Sequence, residues 1–195
     1  MKFLLKLSCR VDTLSEYVGR TIMWLILMAV LLSAANAVMR KAFHMGSSAF
    51  TEMQWYLYSA VFLLGAGYAF LKNVHVRIDF VSGRLSARGR SWIDIVGILV
   101  FLAPLCWILI QMSWPLFVKA WQSGEMSQNA GGLIRWPVYL LLPVGLALLL
   151  MQSASELIKR IAFLRGLIPD PLAHDQAKDD SPAAKLSNNP PSEAR

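Results

Sequence analysis

The chain has 195 residues, of which 56% are hydrophobic, and a formal net charge of +7 at pH 7. This apolar fraction exceeds the roughly 45–50% of ordinary soluble domains, which argues against a soluble protein and favours one embedded in lipid. The basic residues cluster beside apolar runs rather than along one soluble face, so membrane headgroups are a simpler partner than nucleic acid.

Four runs without Asp, Glu, Lys or Arg predict four transmembrane helices. They are Thr21–Met39, Met53–Leu71, Ile95–Val118 and Pro137–Ser155. Each run is close to the roughly 20 residues that cross about 30 Å of hydrocarbon. Because lipid offers no hydrogen-bonding partners, each backbone must pair within itself, which favours a helix over an open strand. The sequence therefore predicts an all-α integral membrane protein with a four-helix transmembrane domain at residues 21–155.

Two amphipathic segments beside these runs predict interfacial helices that lie on the membrane surface. In residues 1–20, apolar side chains recur at helical spacing at Phe3, Leu7, Val11, Leu14 and Val18. A similar pattern follows the second run at Ile78, Val81, Leu85 and Trp92. The alternative for both segments is an ordinary loop wrapped on the protein.

The distribution of Lys and Arg predicts that both chain ends are cytoplasmic. The N-terminal segment, the second loop and the basic flank at residues 156–165 hold twelve of these residues, whereas the first and third loops hold four. Lys and Arg resist translocation and accumulate in short cytoplasmic segments. Residues 166–195 are rich in Pro, Asp, Ser and Asn, which cannot build a core, and we expect a disordered tail there.

The predicted spans contain no residues suited to catalysis or cofactor binding. They hold no ionisable acid or base, and His44, His75 and His174 fall outside them, so no pair of axial haem ligands is available. The sequence also lacks Cys-x-x-Cys, His-x-x-x-His and a glycine-rich phosphate loop. We therefore expect no catalytic, metal or cofactor site, and a protein that is not an enzyme.

Small side chains within the spans are the candidates for helix packing. Ala29, Ser33 and Ala37 share one helix face with Asn36 beside them, and Gly65 and Ala69 repeat the four-residue spacing. Small residues let helix backbones approach each other. Asn36 is predicted to form an interhelical hydrogen bond, and a substrate or ion ligand is the alternative.

Prolines predict two features of the last two spans. Pro104, Pro115 and Pro143 are expected to curve their helices, because proline lacks an N–H and its ring clashes with the preceding turn. A broken helix that builds a substrate site is the alternative. Pro137 predicts a helix start, where the missing donor costs little.

Polar residues near the span ends are the candidate contact sites. His75, Arg77 and Asp79 follow the second span and predict a salt-bridged or phosphate-bound anchor, with a proton relay as the alternative. Glu52, at the opposite end of that span, is expected in a first helical turn, where the helix dipole favours an acid. On the same side, a polar loop that could meet a periplasmic partner contains Trp121, Glu125, Ser127, Gln128 and Asn129.

Several of these residues together resemble a known family. The stretches that carry the resemblance run from Glu52 through Trp55 and Gly65 to His75-Val-Arg77-Ile-Asp79, from Gly124 to Asn129, and from Arg135-Trp136-Pro137 to Gly145. In their order and four-span layout, residues 10–165 are similar to the small membrane subunit of TRAP transporters, the DctQ type.

The resemblance implies a scaffold without chemistry of its own. Such a subunit braces a large membrane subunit of the DctM type, which carries the substrate and sodium sites, while a periplasmic binding protein delivers the substrate. The implied activity is sodium-driven uptake of an organic acid across the bacterial inner membrane. By position, the resemblance implies structural or interface roles for Glu52, Trp55, His75, Arg77, Asp79, Ser127, Asn129, Arg135, Trp136 and Pro137.

Two functions from other classes remain as alternatives. One is a membrane anchor for a respiratory or redox enzyme, held by the basic cytoplasmic loops. The other is a small lipid-modifying enzyme that uses Glu125 with His44. The histidine placement argues against haem, and hence against the first of these.

Overall fold

The computed structural model describes residues 2–43, 48–72, 87–129 and 132–168, and most of these residues are helical. The helices are α1 (Lys2–Ala42), α2 (Ser48–Leu71), α3 (Ala87–Val96), α4 (Ala103–Ser123) and α5 (Trp136–Leu164), with a π-helical segment (Gly97–Leu102) joining α3 to α4. Within the described residues the only β-type pairing is an isolated bridge between Met126 and Ile134. The all-α prediction is confirmed.

Three helical rods are long and apolar enough to cross a membrane: α1, the rod made of α3, the π segment and α4, and α5. Helix α2 is not among them, although its 24 residues give a length of about 36 Å. Gln54, Tyr58 and Ser59 dilute its apolar sequence. Three predicted spans are therefore supported by length and composition, whereas the span on α2 and the orientation of the chain stay predictions.

Helix α1 continues without a break through Arg20, the predicted boundary between a surface helix and the first span. Its 41 residues give a length of about 60 Å, twice the thickness of the hydrocarbon layer. Phe3 and Leu7 are exposed on its outer face, whereas Ser8 and Ser15 are buried. The beginning of the apolar stripe therefore faces away from the protein, whereas Val11 and Val18 are half-buried, and the position of the stripe on the membrane surface stays a prediction.

The second predicted surface helix lies mostly outside the described residues. This is true of Ile78, Val81 and Leu85, whereas Trp92 lies in α3 and is exposed. The residues of the predicted tail after Ile168 are also outside the described part of the chain.

Helix α5 lies at the centre of the bundle, because α1, α2, α3 and α4 all pack on it, and α1 also packs along α2. Two glycines let α2 and α5 meet backbone to backbone. A Cβ atom on Gly145 would lie 2.6 Å from the Leu63 carbonyl oxygen, and one on Gly67 would lie 3.5 Å from the Leu148 carbonyl oxygen. Gly65 faces α1 instead, where its Cβ would lie 3.7 Å from Ile22 Cδ1.

The prolines lie within continuous helices. Pro115 is inside α4 and Pro143 inside α5, while Pro137 lies in the first turn of α5 as the sequence predicted. In the π segment before Pro104, the Ala103 N–H bonds to a carbonyl five residues back. Because Pro104 has no N–H for the preceding turn, the wider π turn accommodates its ring. The curvature of these helices stays a prediction.

Candidate functional site

A group of polar residues, the Glu52 cluster, joins α2 to the loop between α4 and α5. It consists of Glu52, Ser127, Asn129, Leu133 and Arg135. Helix α2 begins at Ser48, so Glu52 lies in its second turn and the prediction of a first-turn position was wrong. The reason is that the apolar run begins only after Glu52, whereas the helical hydrogen bonds begin before this charged residue. Glu52 is only 9% exposed, and buried carboxylates require partners.

Three donors from the loop surround the Glu52 carboxylate. The Ser127 hydroxyl and the Asn129 amide both donate to Oε1, the latter at 2.6 Å. The Leu133 backbone N–H donates to Oε2 at 2.9 Å. These bonds lower the pKa of Glu52, the Leu133 bond most, and Arg135 adds a smaller lowering effect against the cost of burial. Glu52 is therefore ionised at neutral pH and holds both sides of the loop.

The loop is closed on itself at its base. Gly124 ends α4 in the left-handed region with φ of 60°, a conformation that favours glycine. The Ser127 N–H donates to the Leu133 carbonyl at 2.9 Å, and the Arg135 N–H donates to the Glu125 carbonyl at 3.0 Å. The Arg135 guanidinium also pairs with the Glu125 carboxylate at 3.0 Å, which raises the pKa of Arg135. Backbone and side-chain bonds thus restrict the same loop.

Aromatic residues attach the loop to the helix ends. Trp121 near the end of α4 meets Trp136 at the start of α5 edge to face, with ring centroids 4.7 Å apart. Tyr56 on α2 donates its hydroxyl to the Ile134 carbonyl at 3.3 Å. The loop is therefore supported from three helices.

Most of the predicted contact residues on this side come together in the structure. Glu52, Ser127, Asn129 and Arg135 form the cluster, and Trp136 and Pro137 lie in the first turn of α5 beside it. Trp55 points away and is 67% exposed. His75, Arg77 and Asp79 lie outside the described residues, so their anchor role stays a prediction.

Sequence reasoning missed two members of this site. Leu133 contributes its backbone N–H, a group that every residue except proline has, so its residue type could not predict this contact. Tyr56 stands four residues after Glu52 on the same helix face, and that spacing was the available signal.

The predicted packing residues on α1 differ in burial. Ala29 is fully buried, Ser33 is half-buried and Ala37 is exposed. Asn36 donates from Nδ2 to Thr51 Oγ1 on α2 at 3.4 Å. On α2, Ala69 is half-buried. Their roles in an assembled protein stay predictions.

A second polar cluster at the opposite end of the bundle was missed altogether. This Asp12 cluster consists of Ser8, Asp12, Ser15, Gln152, Ser155 and Lys159. Asp12 Oδ1 accepts hydrogen bonds from Gln152 and Ser155, both at 2.9 Å, and Oδ2 accepts one from Lys159 at 3.1 Å. Ser15 donates to Gln152 Oε1 at 2.7 Å, and the hydroxyls of Ser8 and Ser155 are 2.7 Å apart. The first half of α1 is thus bound to the last half of α5 by buried polar groups.

Both clusters are arranged to join elements of the fold. In each, a carboxylate accepts several bonds from donors on another segment, which leaves it little capacity to act on a further molecule. Among the described residues, no group of three His, Cys, Asp or Glu side chains is placed to hold a metal ion.

Comparison with known proteins identifies the family. Residues 28–163 match the family described as "Tripartite ATP-independent periplasmic transporters, DctQ component". A protein of Haemophilus influenzae named as a TRAP transporter small permease protein is 31% identical over 93 residues, which are 48% of this chain and 56% of that relative. The alignment thus covers only about half of each protein. No solved structure matches the chain. Because the family match extends over more than half of the sequence, the chain belongs to the DctQ family of TRAP transporter components.

Proposed function

We propose that this multi-pass membrane protein is the small scaffold subunit of a TRAP transporter in the bacterial inner membrane, with both termini cytoplasmic. The family supports this proposal, and so does the small permease name of the Haemophilus relative. In this role the chain braces a large DctM-type subunit and helps a periplasmic binding protein to dock. The transporter would take up an organic acid with the sodium gradient. A redox-enzyme anchor is not favoured, because the matching family is a transporter component.

One observation carries the scaffold role: the apolar helices have little core of their own. In the most apolar stretch of α1, and in that of the rod containing α4, only 11% of the residues are buried. Large side chains such as Trp24 and Phe62 lie exposed on the helices. Apolar surface of this extent requires lipid or another membrane protein around it. The bundle therefore has open faces for a larger partner.

The Glu52 cluster supports a docking role for the outer loop. Glu52 fixes the loop from inside, while Met126, Gln128 and Ile134 remain exposed on its surface. A loop that is already ordered loses less conformational entropy when a partner binds. We assign this loop to the periplasmic side, where a binding protein delivers substrate.

The scaffold proposal is tested by reconstitution. The large subunit is placed in proteoliposomes with and without this chain, and sodium-dependent uptake is measured after addition of the binding protein. We expect uptake only when all three proteins are present. Equal uptake without this chain would contradict the scaffold role.

The docking proposal has its own variant. Glu52→Gln should raise the binding-protein concentration needed for half-maximal uptake while the large subunit still co-purifies. Glu16→Gln is the matched control, because Glu16 is a carboxylate on the opposite end of the bundle that pairs with Lys72 at 3.6 Å. If the Glu52→Gln variant needs the same binding-protein concentration for half-maximal uptake as the parent chain, the docking role is contradicted.

A further inference from the structure

Helix α4 presents two different outward faces. One carries three tryptophans at seven-residue spacing, Trp107, Trp114 and Trp121, which are 59%, 53% and 58% exposed. Gln111 lies between the first two on the same face and is also exposed. We call residues 107, 111, 114 and 121 the Trp–Gln face.

The other outward face of α4 is apolar from Leu105 to Leu116, and the exposed Lys119 follows on it near the end of the helix. Leu105, Ile108, Met112 and Leu116 are exposed there, and none carries a hydrogen-bonding group apart from the weakly accepting Met112 thioether. In a helix, Met112 lies about 100° around the axis from Gln111 and about 1.5 Å further along it. The two residues therefore sit at the same depth and differ only in direction.

The position of the Trp–Gln face is unfavourable for lipid. Tryptophan is enriched at headgroup level, which suits Trp121 near the helix end, but Trp107 is near the middle of the predicted span at residues 95–118. Gln111 is only about 6 Å further along the axis. In hydrocarbon an amide and an indole N–H without partners are costly. Within the described residues, neither the Gln111 amide nor the Trp107 and Trp114 indoles have a hydrogen-bond partner.

The tertiary packing leaves this face available. Helix α4 packs chiefly on α5 through residues such as Cys106, Ser113 and Ala120, and each of these buried residues lies about 100° around the axis from the exposed tryptophan that follows it. Three half-exposed tryptophans offer roughly 400 Å² of surface, about half of the ~800 Å² that each partner contributes to a stable interface. Seven-residue spacing also suits a neighbouring helix that crosses at about 20°.

We propose that the Trp–Gln face of α4 binds a transmembrane helix of the large membrane subunit, and that Gln111 forms a hydrogen bond with a polar group on that helix. The proposal rests on the scaffold function, because the partner it names, a large membrane subunit, is the one proposed for a member of this tripartite family. Tryptophan is the residue most enriched in interface hot spots, and interhelical glutamine bonds contribute where lipid offers no substitute. The apolar face with Met112 is left to lipid.

The test is site-directed photocrosslinking in the complete transporter in native membranes. A benzophenone amino acid replaces Gln111 in one variant and Met112 in the other. We expect an adduct with the large subunit from position 111, at least tenfold stronger than from position 112. Adducts only with lipid, or with a second copy of this chain, would overturn the proposal.

A parallel measurement separates failure of this proposal from failure of the scaffold function. The unsubstituted chain is purified and the large subunit that accompanies it is quantified. If the large subunit co-purifies while position 111 labels only lipid, the scaffold function stands and the assignment of the Trp–Gln face as the binding surface is wrong. If no large subunit co-purifies, the scaffold function and the proposed binding surface are both wrong. Gln111→Leu should lower the recovered large subunit several-fold, whereas Met112→Leu should not change it.

Discussion

The contact between α2 and α5 at Gly145 allows a sharp prediction for Gly145→Ala. The new Cβ would lie 2.6 Å from the Leu63 carbonyl oxygen and 2.9 Å from the Leu63 Cβ. Ordinary contacts begin near 3.4 Å, so two helix backbones would have to separate by several tenths of an ångström. Overpacking of this kind costs about 1–3 kcal/mol, and the higher helix propensity of alanine offsets up to about 1 kcal/mol.

The expected net loss in the free energy of unfolding is roughly 1–2 kcal/mol, or about 2–8 °C in apparent Tm for a chain of this size. Thermal unfolding followed by fluorescence-detected size exclusion in detergent measures it. Gly97→Ala is the control, because nothing lies within 4 Å of its Cβ position. That variant should be unchanged or slightly more stable. Equal apparent Tm values for the Gly145→Ala and Gly97→Ala variants would refute the close contact between α2 and α5.

Three further predictions concern the polar clusters. Glu52→Gln should increase the mobility of a spin label at Gln128→Cys, because an amide cannot accept from all three loop donors, and Glu16→Gln should leave it unchanged. Since the pKa of Glu52 is lowered by folding, its contribution to loop order is complete above the ordinary value of 4.5 and is lost as pH falls through the lower folded value. The spin label should therefore become more mobile below pH 4.5 in the parent chain. A mobility that does not change with pH would contradict the role of the ionised Glu52 carboxylate in ordering the loop. Asp12→Asn should destabilise the bundle by about 1.5–3 kcal/mol, whereas exposed Thr13→Ala should cost little, as thermal unfolding would measure.

Residue type and periodicity were sufficient to predict the all-α class and three of the membrane spans that length and composition support. Apolar runs of about 20 residues require helices in lipid, and the order of the runs predicted that Glu52 and the polar loop with Asn129 lie on the same side of the bundle. The first and last residues of the helices were harder to predict from the sequence. The apolar runs stop at charged residues, yet α2 starts at Ser48 and α1 continues through Arg20, because backbone hydrogen bonds do not stop at a charge.

The sequence by itself determined that the chain is helical, apolar and free of a recognisable catalytic motif, because these properties depend on composition and local spacing. Only the tertiary structure decided which residues meet. Gly145 rather than Gly65 lies against the backbone of a neighbouring helix, and Asp12 pairs with Gln152 and Ser155 across more than 130 positions of sequence. Such pairs depend on how helices rotate and pack against one another, and a single helix does not carry that information.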